Sequence, residues 1–423
     1  MTPRICVVTA GHLSTSPRML KAADALHEAG YGVRVVCTNF VPWAAVADTD
    51  LRRTRPWPVT VVDYDRTSAP LTYFRSGVRF HAARQFAGLV GPARVPLAVA
   101  ELALSRVHSE LLRAVLEEHA DFVYGGTVGG IAVAAAAARR LHIPYALDLE
   151  DFYSAAQDAS PTGTLVDGLA GCVENNILRG AAFLTAAGAA VAAAYDDKYG
   201  VTSIAVNNVF PLPTQPPDLT VDPRPGLRLY WFSQTIGPRR GLDDAVQAVG
   251  LAAIPAELHL RGNPNSEYLA ILRQLAARVA PQLQIIHHPP ALPGEMFILM
   301  RGYDVGLALE PGFSKNNNIA LSNKALSYLL GGLAVLLTDT IGQRPLAVEV
   351  GEAARICPAG DVVMMAGALK DWAENKVHLA HARQAAWAAA RRRWHWEHPL
   401  ERGAMLAAVA RMSSKSEAAC GSR

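Results

Sequence analysis

Between Pro211 and Pro225 the chain reads PLPTQPPDLTVDPRP, and this stretch constrains its folding more than any other. Proline fixes φ and lacks an amide donor, so a segment this dense in it can hold neither a helix interior nor a central strand. Residues 211–226 are therefore expected to link two domains. Length points the same way, since 423 residues exceed the roughly 250–300 at which single cores stop growing.

The same alternation of elements runs on both sides of that linker. Before it come a strand from Ile5 to Thr9, a loop from Gly11 to Ser16, and a helix that starts at Ser16-Pro17 with serine as N-cap and proline at N1. A strand from Gly32 to Cys37 follows, then Phe122 to Tyr124 with a helix through Arg140, Tyr145 to Leu149, and Phe183 to Ala186 with a helix from about Ala189 to Tyr199. After it come strands at Leu227–Phe232, Glu257–Leu260, Leu283–Ile286, Val305–Leu309 and Ala334–Leu337, with helices at 242–249 and 267–279 and another through Tyr328. Short apolar strands alternating with amphipathic helices predict the α/β class. The expected architecture is two Rossmann-like, doubly wound parallel-sheet domains, residues 1–210 and 227–386, facing a cleft.

Half of the residues are hydrophobic (51%) and 18% are charged, which excludes a disordered chain. A net charge of +3 gives no reason to expect nucleic acid as a partner. The five cysteines are odd in number, far apart and without CxxC spacing, so neither a disulfide framework nor a zinc site is indicated, and a reducing cytoplasm fits. MTPRICVVTAG runs straight into a strand without the apolar core of a signal peptide, and no apolar run reaches the roughly 20 residues that span a bilayer. The expected location is cytoplasmic, with any membrane contact peripheral, at the inner face. For such contact the 71–113 region stands out, because Arg75, Arg79, Arg84, Arg94 and Arg106 interleave with Phe74, Phe80 and Phe86. That surface suits a lipid-linked acceptor or an anionic bilayer, or it is an ordinary set of amphipathic helices. Trp387, Trp394 and Trp396 beside Arg391–Arg393 are read as aromatics packing a terminal helix onto a domain rather than stacking on bases.

The segment richest in chemistry is Asp304 to Gly332, DVGLALEPGFSKNNNIALSNKALSYLLGG. A strand ending at Leu309 delivers Glu310, a polar loop follows, and a helix begins near Ser322 with Asn323 and Lys324 in its first turn. A carboxylate suits the paired hydroxyls of a ribose, while helix N-terminal amides and a lysine suit a diphosphate. The alternative is that Ser322 merely caps the helix and Lys324 is solvated.

This order resembles GT-B glycosyltransferases, particularly the retaining enzymes of family 4. In those a late glutamate loop precedes a helix that opens with Asn-Lys and continues to a Tyr and a Gly, matched here by Asn323, Lys324, Tyr328 and Gly332. The resemblance implies transfer of a sugar from a nucleotide diphosphate sugar to a glycan, lipid-linked or small-molecule acceptor, with Glu310 on the ribose and Ser322, Asn323 and Lys324 also at the donor. The family's second glutamate would fall at Asn318 or Ser327, and both are departures. In YWFSQTIGPRRGL, Arg240-Gly241 stands where the family has the Lys-Gly pair that grips the donor phosphates. Arg239 offers the charge that is missing at Thr235, where the family has an arginine, unless the pair is only a surface turn. Gly262 and His288 lie on loops that flank the donor's base and sugar in the family. Gly11, His12 and Arg18 correspond to the acceptor side, with an exposed loop histidine as the plainer reading of His12. In YALDLEDFY, Asp148 and Asp151 match and Glu150 replaces a histidine. Glu150 and Asp151 either act near the reacting sugar or cap the following helix.

The candidate catalytic set is thus Glu150, Asp151, Arg240 and Lys324. No DxD pattern with supporting context and no His/carboxylate cluster occurs, so catalysis is expected to need neither metal nor cofactor, with Arg240, Lys324 and helix dipoles steadying the departing diphosphate. By the same resemblance residues 1–210 hold the acceptor, 227–386 bind the nucleotide sugar, and 387–413 are helices crossing back to the first domain; residues 414–423 are expected to form a disordered tail. A nucleotide-sugar 2-epimerase or hydrolase of this fold, or a catalytically inactive nucleotide-binding homologue, is the alternative.

Overall fold

A computed structural model describes residues 3–291 and 295–420, with side chains as far as Met412. The chain divides into two compact units, one running to Asn207 and resuming at Pro399, the other Asn208–His398.

In the first unit, β1 (Arg4–Thr9), β2 (Gly32–Asn39), β3 (Val59–Asp63), β4 (Phe122–Gly126), β5 (Tyr145–Leu149), β6 (Leu184–Ala186) and β7 (Ile204–Ala205) form one parallel sheet. The strand order is β3-β2-β1-β4-β5-β6-β7. From Ile5 onward β1 is buried throughout, as are β4 and β5, because helices cover both faces and leave no solvent side to alternate with. The helix Val128–Leu141 lies on this sheet through small residues. A Cβ at Gly130 would stand 2.9 Å from the Val8 carbonyl oxygen, and one at Gly125 would stand 2.6 Å from the Gly130 carbonyl oxygen.

The second unit repeats the plan with β8 (Leu227–Ile236), β9 (Ala256–Pro264), β10 (Leu283–His288), β11 (Val305–Ala308), β12 (Ala334–Thr338) and β13 (Ala354–Cys357), in the order β10-β9-β8-β11-β12-β13. Its core joins Leu229, Trp231, Leu258 and Leu260 of the sheet to Val246 and Val249 of the helix Leu242–Ala252 and to Leu369 and Trp372 of the helix Val362–Glu374. Strand order reverses between β8 and β11. Their pairing stops at Gly306↔Tyr230, whereas β8 follows β9 as far as Ile236↔Pro264 across an irregularity between Phe232 and Thr235. The switch point thus lies beyond the carboxyl ends of β8 and β11, where open parallel sheets bind ligands.

The strands expected from sequence all form, several of them longer than expected. β3, β7 and β13 were not anticipated: β3 is half-buried along its length, β7 has two residues, and β13 carries an exposed Arg355, so none presents a buried apolar run. The first helix does start with Pro17 at N1, but Ser16 makes no side-chain cap; its hydroxyl lies 2.9 Å from that of Thr9.

Residues 206–226 carry no helix or strand, and the proline-rich part is fastened to the second unit. Arg383, 1% exposed, donates to the carbonyl oxygens of Thr220 (2.7 Å), Asp218 (2.5 Å) and Gly332 (3.0 Å). The helix Lys376–Arg392 also belongs to this unit, and Trp394 and Trp396 are buried, with the Trp396 amide donating to the Phe210 carbonyl (2.9 Å). The chain joins the first unit from Pro399, where Glu401 accepts from the Asn207 backbone and side-chain amides (2.5 and 2.9 Å) and Arg402 pairs with Glu28 (2.6 Å). The last helix, Ala404–Cys420, takes in most of the segment expected as a tail, and residues 421–423 lie outside the described residues.

Candidate functional site

Glu310 follows β11 at the switch point of the second sheet. Its backbone is clasped by Thr338 at the end of β12: the Glu310 amide donates to the Thr338 hydroxyl oxygen and that hydroxyl donates to the Glu310 carbonyl, both at 2.7 Å. Gln343, fully buried, braces the same threonine and also donates to the Ala308 carbonyl (3.2 Å).

The Glu310 side chain is 10% exposed and receives three donors. Lys324 Nζ (2.7 Å) and Ser322 Oγ (2.9 Å) meet Oε1, and Asn317 Nδ2 (3.1 Å) meets Oε2. Burial alone would raise the carboxyl's pKa, but Lys324, Ser322 and Asn317 outweigh it and hold the group down at about 2. Glu310 is therefore an anion at any ordinary pH. Neither bland alternative describes the helix Asn323–Leu330: Ser322 makes no side-chain cap, and Lys324 is 13% exposed, with its ammonium 5.9 Å from the centre of the Trp231 ring.

The loop after β8 comes to the same place. Gly241, at φ +69°, precedes the helix Leu242–Ala252, and a Cβ there would stand 2.5 Å from Leu309 Cβ. Only glycine allows both the left-handed backbone and the contact. Arg239 lies 5.2 Å from the centre of the Phe313 ring. Arg240 is half-buried and has no hydrogen-bond or ion-pair partner among the described residues. Two loops, a helix start, one anchored carboxylate and three cations thus gather beyond β8 and β11.

Other candidates in this unit serve the scaffold. The Tyr328 hydroxyl donates to the Leu307 carbonyl (3.2 Å), and its ring fills the space a Gly306 side chain would need. Gly332, at φ +62°, makes room for Pro217 and Leu219. Gly262, at φ +145°, lies so close to the Ser233 carbonyl that a Cβ would stand 2.1 Å away. His288 Nε2 is 2.9 Å from His259 Nδ1, and His259 Nε2 is 3.0 Å from Glu257, a chain of side chains internal to the sheet. Burial, and then Arg261, His259 and His287, lower the His288 pKa. Where the resemblance would put a second glutamate, Asn318 accepts from the Ile341 amide (3.3 Å) and Ser327 donates to the Asn323 carbonyl (2.9 Å).

In the first unit, His12 is buried, not an exposed loop histidine. Its Nε2 accepts from the Phe40 and Val41 amides (3.1 and 3.0 Å), which leaves Nδ1–H to donate to Asp48 (2.9 Å). Asp48 also takes the Ser14 amide (2.7 Å), so this set shapes the loop from Gly11. Gly11 is close to Ser16, 2.8 Å from a built Cβ. Arg18 is buried in a two-point pair with Asp148 (2.6 and 2.7 Å) and donates to the Val206 carbonyl (2.6 Å). Near it lie Glu150 and a residue no motif signalled, Lys21. Burial first, then neighbouring Asp151, raises Glu150 to about 7; burial first, then Arg18, lowers Lys21 to about 7. Neither Glu150 nor Asp151 caps the next α-helix, Pro161–Ile177, whose cap is Ser160 (3.1 Å to the Gly163 amide).

Asn317, Thr338 and Gln343 were also missed. Asn317 sits in the visible Asn316–Asn318 run, but nothing in a single sequence distinguishes the middle member. Among the described residues no group of three or more His, Cys, Asp or Glu is arranged to hold a metal ion.

No family model matches this sequence, and no curated protein matches it at a significant level. Solved structures do match it in shape. HepE from Anabaena, in complex with UDP and glucose, has a TM-score of 0.66 at 15% identity, covering 98% of this chain and 100% of that one. Sucrose-phosphate synthase from Thermosynechococcus elongatus has a TM-score of 0.70 at 11% identity, covering 99% and 100%. A glycosyltransferase from Rickettsia africae has a TM-score of 0.60 at 10% identity, covering 98% of each chain. With two parallel sheets of seven and six strands and matches that run nearly end to end, this chain has the GT-B fold of glycosyltransferases.

Proposed function

We propose that this chain is a glycosyltransferase that takes its sugar from a nucleotide diphosphate sugar and passes it to a glycan, lipid-linked or small-molecule acceptor. The observation that carries the reading is Glu310, an anchored carboxylate held ionised at the switch point of the second sheet, with Lys324 on it and Arg240, which has no partner among the described residues, next to the Gly241 that packs on Leu309. A carboxylate of this kind accepts from both hydroxyls of a ribose, while the arginine and lysine suit the two phosphates. As the sugar departs, negative charge grows on the diphosphate, and a cation already held in place, as Lys324 is by Glu310, stabilises it with little reorganisation. The HepE structures with UDP and with UDP-glucose make uridine nucleotides the first donors to try.

For the transfer step the resemblance suggests Glu150 and Asp151 and a retained anomeric configuration, and the lack of a DxD pattern with supporting context in the sequence suggests a reaction without metal. A carboxyl held at about 7 can carry its proton at neutral pH, donate a hydrogen bond to a hydroxyl, and give the proton up. His12 would act indirectly, by holding the loop from Gly11 in place through Asp48, and Arg18 by fixing Asp148 on β5.

The test is thermal melting of the purified protein against nucleoside diphosphates and nucleotide sugars, followed by product analysis. At least one nucleotide should raise the melting temperature of the wild type, and the rise should vanish in R240A and shrink strongly in K324A. If no nucleotide shifts the melt, the donor reading is wrong. Free sugar or an epimer formed stoichiometrically without acceptor would replace transfer by hydrolysis or epimerisation. Because Asn318 and Ser327 occupy the places of the second glutamate, nucleotide binding without any turnover would identify an inactive homologue.

A further inference from the structure

We propose that the helix Pro70–Val90 is the surface by which the first unit docks on an anionic lipid bilayer. One face of this 21-residue helix is fixed to the protein. Ser76, Gly77, Ala83 and Ala87 are buried, Arg79 pairs with Glu110 (2.5 Å), and Arg84 donates to the Ala103 carbonyl (3.0 Å). At Gly77 the fit is tight enough that a Cβ would stand 2.7 Å from the Arg106 guanidinium.

The opposite face is open and mostly apolar, with Arg75 and Gln85 as the exposed polar side chains on it. Leu71, Phe74, Val78, Phe86 and Leu89 are 60%, 68%, 55%, 46% and 87% exposed, and Ala82 between them is exposed as well. Steps of three and four residues set these six side chains in one stripe along the helix. At about 1.5 Å per residue the stripe is roughly 30 Å long. No described helix is long and apolar enough to cross a membrane, so a helix of this kind meets a bilayer by lying in its interface.

Charge decides between a bilayer and other occupants. From Arg66 to Ala100 the chain contains five arginines and no aspartate or glutamate. Arg79 and Arg84 are used inward, while Arg75 is exposed within the stripe and Arg66 and Arg94 are exposed beyond its two ends. A second copy would bring like charges together. A stripe about 30 Å by 10 Å would also supply roughly 300 Å² per partner, well short of the roughly 800 Å² typical of a stable interface. An anionic surface meets both the arginines and the apolar stripe.

The test is co-sedimentation of the full chain with phosphatidylcholine vesicles, with and without phosphatidylglycerol. Binding should require the anionic lipid and weaken as salt rises. The double variant F74S/L89S should bind about tenfold more weakly, because it removes two of the apolar side chains that enter the interface. R75E should also weaken binding. Both replaced apolar side chains are exposed, so circular dichroism and melting should match the wild type. Absence of binding to anionic vesicles, or equal binding by F74S/L89S, overturns the proposal. So does a wild-type dimer in sedimentation velocity that F74S/L89S dissolves, since the face would then belong to a second copy. Nucleotide-induced melting shifts are read separately and do not bear on this result.

Discussion

Replacing Glu310 by glutamine keeps its shape and removes its charge, and the geometry says what this should cost. The carboxyl is held at about 2 against an ordinary 4.5. Through proton linkage such a depression corresponds to roughly 3 kcal/mol of folding stability at neutral pH. A glutamine also leaves the Lys324 ammonium facing a neutral amide at a site 13% exposed, and breaking a buried pair on one side typically costs about 3–5 kcal/mol. E310Q should therefore be less stable than wild type by roughly 3 kcal/mol at pH 7. Because the folded pKa is depressed, that stabilisation is complete above the unfolded value of 4.5 and fades as the pH falls toward 2. The gap between the two proteins should hold from pH 7 to about 5 and narrow to about 2 kcal/mol by pH 3.5. K324M should be destabilised too, since burial then acts on Glu310 with two donors in place of three, and the double variant should lose less than the sum. Urea unfolding followed by tryptophan fluorescence is a suitable assay, because Trp231, Trp372, Trp387, Trp394 and Trp396 lie in the second unit, five of the seven tryptophans. If E310Q unfolds within about 0.5 kcal/mol of wild type at pH 7, or if the gap does not respond to acid, the carboxylate is not held as described.

G241A should lose about 2–4 kcal/mol, combining a left-handed backbone with a 2.5 Å contact on Leu309, and should weaken nucleotide binding measured by calorimetry. G306A should unfold as readily or more so, because its new methyl group meets the Tyr328 ring at 2.2 Å, a clash that thermal melting will register. E150Q should behave in the opposite sense to E310Q. Glu150 is raised to about 7, so ionising it opposes folding, and wild-type stability should fall as pH rises from 4.5 through 7. E150Q should remove a penalty of roughly 3 kcal/mol at pH 8 and change little at pH 4, as judged from melting at the two values.

The elements that carried the fold were legible because their cause is local. The proline-dense segment and the alternation of apolar strands with helices follow from φ restriction and burial, which act along the chain. The edge strands β3 and β13 escaped for the converse reason: half-exposed strands lack an apolar run, and only pairing with a neighbour defines them. At the site, Glu310, Ser322 and Lys324 could be read because a strand end, a helix start and a charge lie within fifteen residues. Thr338 and Gln343 could not, because they reach Glu310 and Ala308 from the next strand and the turn beyond it, 28 and 35 residues away. His12 illustrates a different limit. Its type and loop position were plain, but its burial depends on Asp48, Phe40 and Val41, which the loop meets only in three dimensions.

The double clasp of Thr338 on the Glu310 main chain bears on the entropy of ligand binding. A loop carboxylate ordinarily surrenders backbone freedom when a ligand arrives, and that loss counts against affinity. Here both backbone polar groups of Glu310 are already committed to one hydroxyl, which Gln343 in turn holds in place. Most of the ordering is thus completed during folding. A ribose arriving at this carboxylate would meet a group whose position is already settled, leaving the side chain of Arg240 as the part still to be arranged. T338V, which keeps the bulk and gives up the hydroxyl, would return that disorder to the bound equilibrium, and calorimetry would record it as a less favourable binding entropy.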